Sequence, residues 1–172
     1  MNIILIGFKN VGKTTVGEHI AKKTDRPFFD TDRLIEKYVY DTEKIFLTVG
    51  DIYQQKGSIY FRFLENKIIT QLNPSLASVI ATGGGSIINL ENATYLQKKG
   101  KIIYLHASFE TLLNRFQSSN SIFLDLGREK FEEKLYILYK ERINHYKHIT
   151  DIEVCTDNKS IIEISNEILF EI

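Results

Sequence analysis

Residues 7–14, with the sequence GFKNVGKT, decide the fold of this 172-residue chain. They complete the pattern G-x-x-x-x-G-K-[ST], a glycine-rich turn followed by a lysine and a hydroxyl residue. The apolar run at residues 3–6 precedes the turn, and a segment with helical spacing of its apolar residues begins at Thr14. This strand–turn–helix context is the one that the pattern requires, so the sequence predicts a phosphate-binding loop in an α/β domain.

The residue types of this loop suit a nucleoside triphosphate. Gly7 and Gly12 permit backbone conformations that let successive N–H groups turn toward phosphate oxygens at a helix N-terminus. Lys13 adds a mobile charge for the β- and γ-phosphates. The Thr14 hydroxyl is placed to bind Mg²⁺, which prefers oxygen ligands and bridges phosphates. The alternative interpretation is a glycine-rich turn beside a surface lysine.

The composition narrows the class of protein. The length and the 43% hydrophobic content are typical of one domain. With 22 basic and 22 acidic residues the formal net charge is zero, which removes the global electrostatic case for nucleic acid or an anionic membrane as a partner. Cys155 is the only cysteine, as expected for a reducing compartment, and the first apolar run is far shorter than a secretory or membrane segment. We therefore expect a cytoplasmic protein. A monomer is also expected, although the composition does not bear on the oligomeric state.

Short apolar runs alternate with longer segments of helical spacing, which predicts an α/β fold with a parallel sheet. The helical segment at residues 33–72 is expected to be broken near Gly50 and Gly57, and residues 117–121 are expected to form a polar loop. The predicted strands cover residues 2–6, 27–30, 78–81, 102–105 and 152–155, and the other predicted helices cover residues 14–24, 109–116, 129–148 and 160–169, with one more starting near residue 90.

A second group of polar residues follows the short strand at residues 27–30. Asp30 and Asp32 should emerge at the carboxyl end of that strand, the edge where open α/β sheets bind ligands. Asp30 could hold Mg²⁺ through water, and Asp32 could receive or orient a substrate hydroxyl. Plain N-capping of the next helix is the alternative interpretation.

Two further motifs come later in the chain. Arg62 and Glu65 share a helix face, where they either hold one another in position or form a solvated ion pair. Residues 82–85, TGGG, follow a predicted strand, and consecutive glycines let the backbone approach a ligand closely. A simple loop is the alternative for this segment.

Taken together, these motifs resemble those of the shikimate kinases, small P-loop kinases of the nucleoside-monophosphate-kinase type. The resemblance rests on residues 7–15, 30–32 and 82–85, on Phe61-Arg62 with Glu65, and on Arg142 with Tyr146. It implies a single three-layer domain over residues 1–172, with a five-stranded parallel sheet in the order 2-3-1-4-5 flanked by helices. It also implies a substrate-binding helical arm at about residues 33–62 and a lid at about residues 117–127.

The resemblance implies transfer of the ATP γ-phosphoryl group to the 3-hydroxyl of shikimate, with Mg²⁺ as cofactor. Lys13 and Asp32 would be catalytic, and Thr14 and Asp30 would hold the metal, Asp30 through water. Two arginines suit an anionic acceptor, because a planar guanidinium grips a carboxylate through two hydrogen bonds. The implied ATP-binding residues are Gly7, Asn10, Val11, Gly12, Lys13, Thr14, Thr15 and Arg115, the last near the adenine. The implied substrate-binding residues are Asp32, Arg62, Gly83, Gly84, Gly85 and Arg142, in a pocket lined by Val49, Tyr53 and Phe61.

The chain departs from the family pattern at three places. Ile122 stands where the family's lid carries the arginine of an Arg-Pro-Leu element. Arg128 and Lys130 are nearby candidates to replace that arginine, and a solvated helix start is the alternative interpretation for both. Ser58 replaces an acidic residue, and residues 38–47 form an apparent insertion in the arm. Two alternatives therefore stand beside a shikimate kinase: a kinase of another polyol acid such as gluconate, and a nucleotide-binding protein that has lost catalysis.

Overall fold

Five parallel strands form one sheet in the order β2-β3-β1-β4-β5, which confirms the predicted fold class and strand order. The structure is a computed structural model that describes residues 1–74, 77–118 and 128–172. The strands are β1 (Asn2–Ile6), β2 (Phe28–Asp30), β3 (Val79–Ala81), β4 (Gly100–His106) and β5 (Ile152–Cys155).

The central strand β1 pairs with β3 on one side and with β4 on the other, so Ile4 lies opposite both Ile80 and Ile102. These strands are buried, which explains why they are continuous apolar runs. Strand β4 begins at Gly100, two residues before the predicted start, because Gly100 pairs with Asn2. A Cβ atom on Gly100 would lie 2.5 Å from the Asn2 carbonyl oxygen, so a larger residue would push the two strands apart at this point.

Seven helices are described. They are α1 (Lys13–Thr24), α2 (Thr31–Glu43), α3 (Val49–Gln71), α4 (Leu90–Lys99), α5 (Phe109–Ser118), α6 (Arg128–Ile149) and α7 (Ile161–Glu171), with a short 3₁₀ helix at Ser86–Ile88. Helices α1 and α7 pack together, and α4 and α6 pack against β4. None of the helices within the described residues is long and apolar enough to cross a lipid bilayer.

Helices α2 and α3 carry a hydrophobic cluster of their own, separate from the core around the sheet. Its buried members are Ile35, Val39, Ile52, Phe61 and Leu64. The predicted break near Gly57 is confirmed, since Gly57 has φ 83° and ψ 165° inside α3. The break expected near Gly50 lies instead at residues 44–48, because Thr48 and Asp51 form a capping box that starts α3 and leaves Gly50 in its first turn.

Candidate active site

The predicted phosphate loop joins the end of β1 to the start of α1. Gly7 has φ 141°, and a Cβ atom there would lie 2.2 Å from the Leu105 carbonyl oxygen, so only glycine fits. Gly12 caps α1 with φ 107°, and Asn10, with φ 64°, is also left-handed. These backbone conformations place the first N–H groups of α1 at the carboxyl edge of the sheet, where the helix dipole favours an anion.

Lys13 folds back over this loop. Its Nζ donates hydrogen bonds to the carbonyl oxygens of Gly7 and Phe8, each at 2.8 Å, and its side chain is buried. Burial lowers the pKa of Lys13 to about 8, and the nearby charges of Asp32 and Asp30 oppose that shift. The lysine charge is therefore held at the loop.

Asp30 has two roles, one with each carboxylate oxygen. Its Oδ2 accepts a hydrogen bond of 2.6 Å from the Thr14 hydroxyl, and its Oδ1 caps α2 by accepting from the backbone N–H groups of Asp32 and Arg33. The capping interpretation is thus correct without excluding the metal interpretation. Over the described residues no group of three or more His, Cys, Asp or Glu side chains could hold a metal ion by itself. The Thr14 and Asp30 oxygens fit Mg²⁺, which takes few protein ligands and completes its coordination with phosphate and water oxygens.

Asp32 lies in the first turn of α2 and faces the triple-glycine loop. A Cβ atom on Gly83 would lie 2.6 Å from Asp32 Oδ1. This oxygen is buried and has no hydrogen-bond partner among the described residues. Burial raises the pKa of Asp32 to about 6, with a further increase from the Asp30 charge and an opposing effect of Lys13. A buried acceptor without a partner is uncommon in proteins and is suited to a ligand hydroxyl.

Arg62 is held by a buried partner. It pairs with Glu65, whose side chain is 2% exposed and also accepts a hydrogen bond of 2.9 Å from the Ser86 hydroxyl. The solvated ion pair is therefore the wrong alternative. A Cβ atom on Gly85 would lie 2.6 Å from Arg62 Nη1, so the glycine lets the guanidinium lie directly against the loop backbone.

Gly84 joins the two halves of the site. A Cβ atom there would lie 3.0 Å from the Lys9 backbone nitrogen, so the triple-glycine loop packs on the phosphate loop. The Gly84 carbonyl oxygen accepts hydrogen bonds from Arg142 Nη1, at 3.1 Å, and from the Tyr146 hydroxyl. The structure thus brings Asp32, Arg62 and Arg142 around the same three glycines, next to the phosphate loop.

The other predicted site residues lie farther out. Arg115 donates to the carbonyl oxygens of Val11, at 3.1 Å, and Thr156, at 3.2 Å, so it lies against the phosphate loop from the side of β5. Tyr53 packs edge-on against Phe61 with ring centroids 5.7 Å apart, and Val49 packs against the α2–α3 cluster.

Part of the predicted lid falls outside the described residues. Residues 119–127, with Ile122, are not described, and Lys130 is exposed in the first part of α6. The absence of the family's lid arginine therefore remains a sequence observation.

Sequence reasoning assigned no role to three residues that shape the site. The Thr31 hydroxyl accepts a hydrogen bond of 2.9 Å from the Gly83 N–H, which engages that amide within the protein. Ser86 supports Glu65, and Tyr146 supports Gly84. Thr31 lies within the quoted residues 30–32, Tyr146 was quoted with Arg142, and Ser86 follows the triple glycine, so their positions were a usable signal.

Comparison with known proteins identifies relatives over nearly the whole chain. A shikimate kinase of Sulfurihydrogenibium sp. (strain YO3AOP1) is 37% identical over 171 residues, which cover 99% of this chain and 97% of the relative. A shikimate kinase of Enterococcus faecalis (strain ATCC 700802 / V583) is 34% identical over 168 residues, covering 98% and 96% of the two chains.

Solved structures agree. The shikimate kinase from Acinetobacter baumannii in complex with shikimate has a TM-score of 0.85 and 32% identity, covering 98% of this chain and 90% of that one. A gluconokinase from Sinorhizobium meliloti 1021, with a TM-score of 0.53 and 17% identity over 98% and 89% of the two chains, shares the fold alone. The family model for shikimate kinase matches residues 9–172. By sequence, fold and the arrangement of its motifs, the chain belongs to the shikimate kinase family.

Proposed function

We propose that this protein transfers the γ-phosphoryl group of ATP to the 3-hydroxyl of shikimate. The observation that supports this most directly is the convergence of Asp32, Arg62 and Arg142 on three glycines that pack against the phosphate loop. The proposed phosphate site and the proposed acceptor site thus meet where the backbone of the triple-glycine loop packs on that of the phosphate loop. Membership of the shikimate kinase family agrees with this assignment.

The phosphate half binds ATP through the backbone N–H groups of the loop and through Lys13. When ATP binds, Lys13 Nζ gives up its hydrogen bonds to the carbonyl oxygens of Gly7 and Phe8 and donates instead to the β- and γ-phosphates. The exchange is favourable because charged phosphate oxygens are stronger acceptors than carbonyl oxygens. Thr14 and Asp30 would hold Mg²⁺, Asp30 through water, and the bound ion supplies charge neutralisation on the phosphate oxygens. Arg115 borders the place expected for the adenine.

The acceptor half binds a small anion that carries hydroxyl groups. Arg62 and Arg142 are proposed to hold the shikimate carboxylate, with backbone N–H groups of the triple-glycine loop as further donors. The buried Asp32 Oδ1 accepts the hydrogen bond of the reacting hydroxyl. Val49, Tyr53 and Phe61 would line the pocket on the side of the arm, whose role in binding substrate remains a prediction.

Phosphoryl transfer depends mainly on alignment and charge stabilisation, since the protein has little covalent chemistry to perform. The 3-hydroxyl oxygen forms a bond to the γ-phosphorus while the bond to the β,γ-bridging oxygen breaks and ADP leaves. The hydroxyl proton passes to Asp32, which is mostly ionised at neutral pH because its pKa lies at about 6. Lys13 stays beside the phosphates and stabilises the charge that develops during transfer.

The experiment that tests this function measures ADP release by the full chain with ATP and Mg²⁺, with shikimate present or absent. A shikimate-dependent rate is expected. Gluconate in place of shikimate tests the other acceptor class. Calorimetry tests the alternative of a nucleotide-binding protein that has lost catalysis. Such a protein would bind ATP and shikimate, but its turnover would stay near background. The cytoplasmic location and the monomeric state stay predictions.

A further inference from the structure

Two side chains of α6 donate hydrogen bonds to a single backbone oxygen. The Tyr146 hydroxyl and Arg142 Nη1 both meet the carbonyl oxygen of Gly84, the middle residue of the triple glycine. The two donors lie four residues apart and therefore on one face of the helix. A carbonyl oxygen has two lone pairs, so both bonds can exist at once.

Of the two donors, Tyr146 is fixed in place. Its side chain is 1% exposed, and its ring stacks on that of Tyr104 in β4, with centroids 5.0 Å apart and an interplanar angle of 26°. Burial raises the pKa of Tyr146, so the hydroxyl keeps its proton and stays a donor at any pH at which the protein works.

The Arg142 guanidinium, in contrast, is only partly buried and contacts more than one group. The side chain is half-buried, with Cζ 5.6 Å from the centroid of the Phe8 ring in the phosphate loop. A guanidinium has five N–H donors: Nη1 donates to the Gly84 carbonyl, and the group also interacts with the neighbouring Tyr146 hydroxyl. An arginine that turns toward an incoming carboxylate weakens its bond to the carbonyl, and a carbonyl oxygen without a partner at an enclosed site is costly.

We propose that Tyr146 is a positioning residue that keeps the Gly84 carbonyl hydrogen-bonded while Arg142 turns to the substrate carboxylate. The tyrosine thereby releases the arginine for binding and keeps the Gly84 carbonyl of the triple-glycine loop in place. This inference rests on the proposed function, because it takes Arg142 as a ligand of the acceptor.

The test replaces the hydroxyl alone. Tyr146→Phe keeps the ring and its stack on Tyr104, but of the two donors described above it leaves only Arg142 on the Gly84 carbonyl. We expect the KM and the calorimetric Kd for shikimate to rise about tenfold. The KM for ATP and the kcat should stay within about twofold of wild type, because the phosphate loop keeps its own contacts.

Tyr95→Phe is the matched control. The Tyr95 hydroxyl also donates to a backbone carbonyl, that of Leu72, at 2.8 Å, but in a part of α4 that the site does not use. This variant should lose a similar amount of thermal stability and keep the wild-type KM for shikimate. A Tyr146→Phe protein that matches Tyr95→Phe in every measurement would overturn the proposal.

A double-mutant cycle tests the route through Arg142. In the Arg142→Ala background there is no arginine to release, so adding Tyr146→Phe should change kcat/KM for shikimate by less than about twofold. A further tenfold loss in that background, or an equal loss of ATP affinity in Tyr146→Phe, would show a general structural role and contradict the proposal. Failure of the proposed function itself would appear differently, as wild-type protein that does not bind shikimate.

Discussion

Lys13 and Asp32 are two oppositely charged residues whose pKa values burial moves toward each other. Burial lowers the pKa of Lys13 to about 8 and raises that of Asp32 to about 6, while the charge of each opposes the shift of the other. Both side chains still carry their charges at neutral pH. The site therefore holds a cation and a carboxylate side by side, as the proposed roles of Lys13 toward the phosphates and of Asp32 toward the hydroxyl require.

The shift at Asp32 predicts a pH dependence of stability. Its pKa is 3.8 in the reference state and about 6 in the folded state, so the folded protein binds more protons between these values. The free energy of unfolding that Asp32 contributes should therefore fall as the pH rises from about 4 to about 6. The free energy of unfolding of wild type, taken relative to that of Asp32→Asn, should fall by up to about 3 kcal/mol over this range. Urea unfolding of both proteins at several pH values measures this difference.

Asp41 provides the control for that measurement. A hydrogen bond from Lys37 lowers the pKa of this exposed carboxyl, so its contribution has the opposite sign and is lost as the pH falls. The free energy of unfolding of wild type relative to Asp41→Asn should therefore not decrease as the pH rises. A flat difference between wild type and Asp32→Asn would mean that the Asp32 carboxylate is solvated in the folded protein.

Arg62→Ala should change the KM for shikimate much more than the KM for ATP. The loss of a charge-assisted contact to the acceptor is expected to raise the KM for shikimate about 10- to 100-fold and to leave the KM for ATP within about twofold. Arg33→Ala removes an arginine from an exposed pair with Glu18 and should leave both constants unchanged. Steady-state kinetics with each substrate varied in turn checks this, and an equal loss for both substrates would assign Arg62 to the fold.

Among the elements, α3 shows how one glycine shapes the acceptor side of the site. The helix runs from Val49 to Gln71, and its direction changes at Gly57, ahead of Phe61, Arg62 and Glu65. The φ of 83° and ψ of 165° at Gly57 are accessible almost only to glycine. A Cβ atom there would meet nothing within 4 Å, so the requirement for glycine comes from the backbone and not from packing.

Gly57→Ala should therefore destabilise the protein through backbone strain. We expect a loss of about 1–3 kcal/mol in the free energy of unfolding, together with a higher KM for shikimate as the kink relaxes. Gly50→Ala is the matched control, since Gly50 is helical in the first turn of the same element and alanine suits such a position. Urea unfolding of both variants checks the difference, and equal stability of the two would refute the strain at Gly57.

The elements follow from the sequence wherever local patterns decide them. The β1 strand and the helices α1, α6 and α7 lie within a residue or two of the predicted bounds, because their apolar spacing is strong. The start of β4 depends on the pairing of Gly100 with Asn2, and the start of α3 depends on side-chain capping by Thr48. Neither of these is encoded in hydrophobic periodicity alone.

At the scale of the whole molecule, the chain builds two hydrophobic clusters. The larger one surrounds the sheet, and the smaller one lies between α2 and α3, the helices that carry Asp32 and Arg62. The smaller cluster has few buried members, so this part of the molecule should open at lower free energy than the sheet.

A matched pair of isoleucines tests that difference. Ile103 lies in the larger cluster and Ile35 in the smaller one, and each is 0% exposed. Either substitution to alanine should lower the local stability by about 2–5 kcal/mol. Hydrogen exchange should show that Ile103→Ala weakens protection throughout the sheet, whereas Ile35→Ala weakens it mainly in α2 and α3. Uniform loss of protection in both variants would indicate a single cooperative unit.

The motifs of the site were predictable from the sequence, and their contacts were not. Gly7, Lys13 and Asp32 stand in recognisable patterns at the ends of strands, where topology alone brings them to one edge. The bond from Tyr146 to Gly84 spans 62 residues, and that from Ser86 to Glu65 spans 21. Such contacts depend on the mutual packing of α3, α6 and the triple-glycine loop, which no local pattern specifies. The buried Asp32 oxygen, which has no partner among the residues that the structure describes, likewise appears only in three dimensions.

The Asp30 carboxylate connects the two halves of the site. One of its oxygens holds the Thr14 hydroxyl beside the phosphate loop, and the other anchors the first turn of the helix that carries Asp32. A single side chain therefore links Thr14, which is proposed to hold Mg²⁺, to the start of the helix that carries Asp32, the proposed base. Replacing Asp30 should therefore disturb both halves of the site at once, since the same carboxylate serves both.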